Sequence, residues 1–189
     1  AGQGPRLGTR RAGARDEAAR LLEGARLVVG HNLAYDLAVL TAEGLGELVF
    51  DKLDRGEIHC TWVYERLGEI SGYSDRKSLD LATCCRAHGL PPLALKDSGL
   101  ATDFGQFIDA GEIPEPHRSY ALGDLQVGKL YERQRRRFRD VPTRALERLT
   151  YRQFALQLMS VWGMRVDVGA ADATPFACPS RETRCDCQI

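Results

Sequence analysis

The segment Val28–Leu40 constrains the fold of this chain more than any other. Two valines predict a short buried strand, Gly30 predicts a sharp turn, and the residues after it have the spacing of an amphipathic helix. Asn32 is expected where that helix begins and Asp36 one turn inside it, and residues four apart share a helical face. Open α/β sheets bind ligands at the carboxyl ends of their strands. The segment therefore predicts an α/β fold with a polar pair at that edge.

Taken alone, this pair has a simpler interpretation. Asn32 would cap the helix, which is a common role for asparagine, and Asp36 would be a solvated surface acid. A second pair far downstream favours the functional interpretation. Tyr120 and Asp124 are also four apart, within a stretch predicted to form one long helix over residues 117–138. Two polar pairs with helical spacing are therefore candidates for one composite site.

The composition excludes several classes of protein. The chain has 189 residues, 43% hydrophobic and 28% charged, with no net charge, which is typical of one globular domain with appendages. Polyanion binding must then come from local patches. Because the sequence has no apolar run that could span a bilayer and no signal-peptide core, we expect no membrane partner. The six cysteines are predicted to be free thiols of a reducing compartment.

The two ends differ from the middle of the chain. Residues 1–15 are rich in Gly, Arg and Ala, which predicts disorder, and residues 170–189 form an irregular tail containing proline and cysteine. Between them, Ser78 is predicted to cap a helix that ends near Gly89. Further helices are expected at residues 16–24, 103–110 and 146–162, with strands at 26–29 and 57–61 and a last extended piece at 163–167.

The two polar pairs resemble motifs of a known family. GHNLAYD at residues 30–36 is similar to the second motif, and YALGD at residues 120–124 to the third motif, of the 3′–5′ exonuclease domains of A-family DNA polymerases. SLDLA at residues 78–82 resembles the start of a helix in that family. Residues 155–167 resemble the connection to the polymerase domain. The resemblance covers about residues 25–167, and the ordered pair of motifs carries it.

This resemblance implies a fold and a biological setting. It implies an RNase H-like exonuclease fold of the DEDDy superfamily, with a central mixed sheet flanked by helices. Residues 16–140 would be a partial exonuclease domain, and residues 141–169 a helical junction towards a polymerase domain that is normally in the same chain. The activity would be proofreading in DNA replication and repair, on a single-stranded DNA 3′ end. The location would be the cytoplasm, or a nucleoid- or phage-associated complex.

The chemistry of this family explains the residue types. Two divalent ions, Mg²⁺ or Mn²⁺, hold the attacking and leaving oxygens about 4 Å apart, and such hard cations prefer carboxylate oxygen. The resemblance implies that Asp124 binds the ion that activates water and that Asp36 holds the other ion. Tyr120 would orient the attacking water, and its alternative role is that of a packed aromatic with a solvated hydroxyl. Asn32 would support Asp36 or the substrate.

Three further residues are candidates for substrate binding. His31 belongs to the same motif as Asn32. Arg76 and Lys77 precede the predicted Ser78 helix and are candidates for phosphate contacts. The arginine run at residues 133–139 is a weaker candidate, because basic residues near a helix C-terminus also complement its dipole.

The chain departs from the family in one important respect. The first motif, Asp-x-Glu, supplies two of the four metal-site carboxylates, and this sequence contains no Asp-x-Glu. Asp16 and Glu17 are adjacent, so on a helix they would diverge by about 100°. We therefore expect an N-terminally truncated copy that lacks its first strands, has an incomplete two-ion site and retains little or no nuclease activity.

Three alternatives remain open from the sequence. In the first, the chain is a non-catalytic remnant that binds nucleic acid or a partner protein. In the second, it is a stand-alone exoribonuclease of the same superfamily. A zinc site is a third candidate, but adjacent cysteines lack the usual ligand spacing, so buried thiols are the favoured interpretation. The residues behind the zinc hypothesis are His59, Cys60, Cys84, Cys85 and His88.

Overall fold

A two-stranded parallel sheet organises the protein. The computed structural model describes residues 7–73, 75, 78–93, 107 and 113–163, and the side chains from residue 13 onward except that of Trp162. Strand β1 (Val28–Gly30) pairs with β2 (Ile58–Cys60), with Val28 opposite Ile58 and Gly30 opposite Cys60. Parallel strands need a long connection, and helices provide it here. The predicted α/β class is confirmed, as a mainly helical chain around this small sheet.

Eight α-helices surround the sheet in the part of the chain that the structure describes. Five of them occupy the first half, and α2 is followed by a π-helical turn at residues 41–45. The helices are α1 (Leu7–Gly24), α2 (Ala34–Leu40), α3 (Gly46–Asp54), α4 (Thr61–Ile70), α5 (Leu81–Ala87), α6 (Glu115–Asp124), α7 (Val127–Arg137) and α8 (Thr143–Trp162).

The first helix begins earlier than the sequence predicts. Helix α1 starts at Leu7, so residues 7–15 are helical and not disordered. Alanine and arginine are good helix formers, and these residues outweigh the glycines of the segment. The Arg15 guanidinium also donates a hydrogen bond to the Glu43 carbonyl at 2.8 Å, which ties the helix to the turn after α2.

The predicted long helix over residues 117–138 is two helices. Helix α6 ends at Asp124 and α7 begins at Val127, with Leu125 and Gln126 in a turn between them. Glycine weakens a helix, and this turn lies between Gly123 and Gly128. The break leaves Asp124 as the last residue of α6, one helical turn after Tyr120.

Asp80, and not Ser78, caps helix α5. The Asp80 carboxylate accepts a hydrogen bond from the Thr83 backbone N–H at 2.9 Å, whereas the Ser78 hydroxyl donates to Asp80 at 2.6 Å. Partial burial opposes ionisation of Asp80, but hydrogen bonds from Ser78 and Thr83 outweigh it and lower the Asp80 pKa to about 2. Ser78 therefore supports the cap from outside the helix.

The main core lies between the sheet and helices α2, α4, α7 and α8. Phe138 follows α7, is fully buried and packs against the rings of Tyr64, Tyr73 and His88, with ring centres 5.5–5.7 Å apart. Burial of this ring fixes the end of α7 against α4. Other fully buried members of this core are Leu37, Val49, Ile58, Cys60, Leu146 and Phe154.

Some predictions concern residues outside the described part. The helix at 103–110, the extended piece at 163–167 and the tail at 170–189 lie there almost entirely. Within the described residues, no helix is long and apolar enough to cross a membrane. Cys60, Cys84 and Cys85 are buried free thiols, as the sequence predicts.

Candidate acidic site beside the carboxyl end of strand β1

The turn after β1 differs from the predicted helix start. Asn32 adopts a left-handed backbone conformation (φ 56°), which asparagine tolerates better than most residues. Helix α2 begins two residues later, and its start has no side-chain cap. The simple interpretation of Asn32 as an N-cap is therefore wrong, and Asn32 does not share a helix with Asp36. Its side chain is held from elsewhere, because Gln153 of α8 donates a hydrogen bond to Asn32 Oδ1 at 2.9 Å.

His31 joins the turn to two other elements. Its Nδ1 lies 2.8 Å from the hydroxyl oxygen of Thr61, the first residue of α4. Its Nε2 lies 2.8 Å from the Leu79 carbonyl oxygen, which can only accept a hydrogen bond. Both ring nitrogens thus have partners within the protein. This arrangement gives His31 a clear role in shaping the site, while its predicted contact with substrate stays a prediction.

Asp36 and Asp124 lie close enough for their charges to interact. Asp36 is exposed on α2, yet the protein atoms packed around its carboxyl group raise its pKa, and the negative charge of Asp124 raises it further. Asp124 comes from the end of α6, far along the chain. Among the described residues, Asp36 forms no ion pair with a cation. The fold thus brings together the two carboxylates that the motifs single out.

Tyr120 and Cys85 also lie close enough to Asp124 for its charge to affect them. Burial raises the pKa of the half-buried Tyr120 hydroxyl, and the charge of Asp124 adds to the effect. Burial likewise raises the pKa of the Cys85 thiol to about 11, again with a contribution from Asp124. Both groups are therefore protonated at neutral pH. Tyr120 can donate a hydrogen bond, and Cys85 is a buried, unreactive thiol.

The carboxylate pair fits part of a divalent-cation site. Two carboxylates from different helices offer oxygen ligands, and a divalent cation would relieve their mutual repulsion. In the part of the chain described, no group of three or more His, Cys, Asp or Glu side chains is arranged to hold a metal ion. Asp36 and Asp124 are the residues that would hold Mg²⁺ or Mn²⁺ here, and the predicted two-ion site stays a prediction.

The histidines of the zinc hypothesis have other partners. His59 Nδ1 lies 2.5 Å from the Tyr131 hydroxyl, and His88 Nε2 lies 3.0 Å from the Glu65 carboxylate. The arginine run ends α7 as expected, with Arg137 donating to the Tyr73 carbonyl at 3.2 Å. These contacts support the structural interpretation of both features.

Two supporting residues could not be found from the sequence. Gln153 holds Asn32, and Thr61 holds His31, but neither lies in or near a recognisable motif. Each contact joins residues at least 30 positions apart, and such contacts have no local signal. Arg76 and Lys77, the predicted phosphate contacts, lie outside the described residues.

Comparison with known proteins adds no relative. No protein-family model, curated protein or solved structure matches this chain. The function is therefore inferred from the motifs and from the geometry of the site.

Proposed function

We propose that this chain is a 3′–5′ exonuclease domain of the DEDDy type, related to the proofreading domains of A-family DNA polymerases, with an RNase H-like fold. One observation supports the proposal above others. Asp36 and Asp124, the acids of two motifs that are far apart in the sequence, come close enough for the charge of one to raise the pKa of the other. Clustered carboxylates with perturbed pKa values are typical of functional sites.

In the proposed reaction, Asp36 and Asp124 would hold Mg²⁺ or Mn²⁺, which when bound would supply an activated water and stabilisation of the departing oxygen. Tyr120 would orient the attacking water through a hydrogen bond from its hydroxyl. Asn32, fixed by Gln153, orients its amide towards the end of the substrate strand. The substrate is the frayed 3′ end of single-stranded DNA, and the location we propose is cytoplasmic, or associated with a nucleoid or phage.

Activity of this chain is proposed to be weak. The sequence contains no Asp-x-Glu, and the site described here has two carboxylates where the family uses four. A second candidate function, a non-catalytic remnant that binds nucleic acid, is favoured by the same observation. In that case the carboxylate pair would still bind a cation weakly, but no hydrolysis would follow.

Titration with Mn²⁺ tests the carboxylate site directly. We expect NMR signals of Asp36, Tyr120 and Asp124 to broaden before the others as paramagnetic Mn²⁺ is added. Asp124→Asn should remove this selective broadening, whereas the control Asp51→Asn, an exposed acid on α3, should preserve it. Broadening that is uniform, or that persists in Asp124→Asn, would contradict the proposal.

A nuclease assay then separates the two candidate functions. Single-stranded DNA labelled at its 5′ end is incubated with Mn²⁺ and the protein. Slow shortening from the 3′ end, lost in Asp124→Asn and kept in Asp51→Asn, supports the exonuclease. Selective Mn²⁺ binding without any Asp124-dependent cleavage supports the remnant.

A further inference from the structure

We propose that a cavity between α3 and α8, distant from Asp36 in sequence, binds the phosphate backbone of single-stranded nucleic acid. The cavity has a volume of about 350 Å³. Its wall combines basic, aromatic and acidic side chains from the end of α3 and the first half of α8. The polar lining residues are Asp54, Arg144, Glu147, Arg148, Tyr151 and Arg152.

Three arginines form a row along one face of α8. Arg144, Arg148 and Arg152 follow each other at intervals of four residues, so they lie on one side of the helix, about 6 Å apart along its axis. All three are exposed. None of them forms a hydrogen bond or an ion pair with any described residue. The row therefore offers three guanidinium groups whose donors are available to a ligand.

The position of these arginines is unfavourable for the helix by itself. Like charges four residues apart repel each other, and α8 carries two such pairs. Arg144 also lies in the first turn of the helix, where the dipole favours acids, and that turn contains no acid. An anion bound along the row would relieve both effects. The arrangement is thus better explained by a bound anion than by the stability of α8.

Two acids line the same cavity but do not neutralise the row. The Glu147 carboxyl packs against Gly56, where an added Cβ would lie 2.8 Å from Glu147 Cδ, and its Oε1 lies 3.9 Å from His59 Nε2. Glu147 is thereby directed towards the backbone and His59. Asp54, the last residue of α3, also lines the cavity. With three arginines and two carboxylates, the cavity keeps one net positive charge.

The shape and the aromatic residue favour a single strand. Tyr151 lies beside the arginines and is 37% exposed, so its ring can stack on a base. Single-strand binding sites combine a basic track with such stacking platforms. Gln153, which holds Asn32, lies on the same helix but points about 100° away from Arg152 around the helix axis. The choice of ligand rests on the proposed function, whose substrate is single-stranded DNA.

Fluorescence anisotropy with a short labelled oligothymidylate tests this inference. The measurement is made in EDTA, so it is independent of metal binding by Asp36 and Asp124. For a variant with Arg144→Gln, Arg148→Gln and Arg152→Gln, we expect binding weaker by roughly 10- to 100-fold, and a log–log salt dependence shallower by about 2. The matched control carries Arg26→Gln, Arg66→Gln and Arg86→Gln, three exposed arginines outside the cavity with the same charge change, and should bind within about threefold of the unmodified chain.

Several outcomes would overturn the inference. Equal weakening in the two triple variants would show a general charge effect, and undetectable binding by the unmodified chain would refute the site. Complete competition by inorganic phosphate or by a mononucleotide at micromolar concentration would indicate a small-ligand pocket in place of a strand site. Circular dichroism checks that both variants are folded. Failure of selective Mn²⁺ binding would reject only the proposed nuclease site, so the two proposals fail separately.

Discussion

Two regions of this protein contain carboxylates in contrasting environments. Glu65 on α4 is fully buried, and its Oε2 accepts a hydrogen bond from Gln134 at 2.8 Å and lies 3.0 Å from His88 Nε2. Asp36, in contrast, is exposed on α2, and the negative charge of Asp124 adds to the effect of burial in raising its pKa. The first carboxylate is placed to hold α4, α5 and α7 together. The second is placed at a cost to the fold, which is the usual sign of a site kept for a ligand.

The largest loss of unfolding free energy is expected when the buried Glu65 is substituted. Glu65→Ala would remove one buried hydrogen-bond acceptor of the Gln134 amide and the carboxylate beside the His88 ring, and would create a cavity. Such losses cost about 3 kcal/mol of unfolding free energy. Urea denaturation measures the change. The matched control is Asp51→Ala, which removes an exposed pair with Arg55 and should cost less than about 0.5 kcal/mol. Similar costs for the two variants would remove the contrast between the regions.

An intermediate effect is expected at the cap of α5. Asp80→Ala removes the acceptor for the Thr83 N–H and should cost about 1 kcal/mol, whereas Asp80→Asn, which keeps a cap, should cost less. Because the folded pKa of Asp80 is lowered to about 2, its ionised form stabilises the fold above its ordinary pKa, and this contribution is lost as the pH falls towards 2.

The pH dependence of the unfolding free energy tests the lowered pKa of Asp80. The difference in stability between the unmodified chain and Asp80→Asn should be constant near neutrality and shrink between about pH 4 and pH 2. Urea denaturation at several pH values measures it. A difference that grows as the pH falls would contradict the lowered pKa.

The smallest effect on the unfolding free energy is expected at the acidic site, where the substitution should stabilise the fold and not destabilise it. The pKa of Asp36 is raised in the folded state, so its ionised form destabilises the fold above that pKa, and the penalty disappears as the pH falls below the ordinary value. Asp36→Asn should therefore raise the unfolding free energy at pH 7 by a few tenths of a kcal/mol, after allowance for solvent screening.

A divalent cation should reduce or reverse this difference in unfolding free energy between the unmodified chain and Asp36→Asn. Adding Mg²⁺ or Mn²⁺ should stabilise the unmodified chain more than Asp36→Asn, because bound cations neutralise the repulsion between Asp36 and Asp124. Thermal denaturation with and without metal measures the effect. Destabilisation by Asp36→Asn at pH 7 would show that the carboxylate serves the fold, and the contrast with Glu65 would then fail.

The local pattern of the sequence predicted the elements better than their ends. The strands at 26–29 and 57–61 and the helices at 16–24 and 146–162 all correspond to observed elements, because apolar periodicity reports directly which face is buried. The residue at which a helix begins or ends depends on single contacts, which periodicity does not report. The sequence predicts Ser78 as the cap of α5, whereas Asp80 makes the bond to Thr83, and the predicted long helix over 117–138 is divided at Leu125 and Gln126.

By itself, the sequence determined the α/β class and singled out Asp36, Tyr120 and Asp124, since motif spacing and hydrophobic pattern are local properties of the chain. Only the tertiary structure decided how these residues are supported. Gln153 reaches Asn32, Thr61 reaches His31, and Asp124 raises the pKa of Asp36 across a long separation in the chain. Such contacts arise because packing of the whole core brings distant segments together, and no short stretch of sequence encodes that distance.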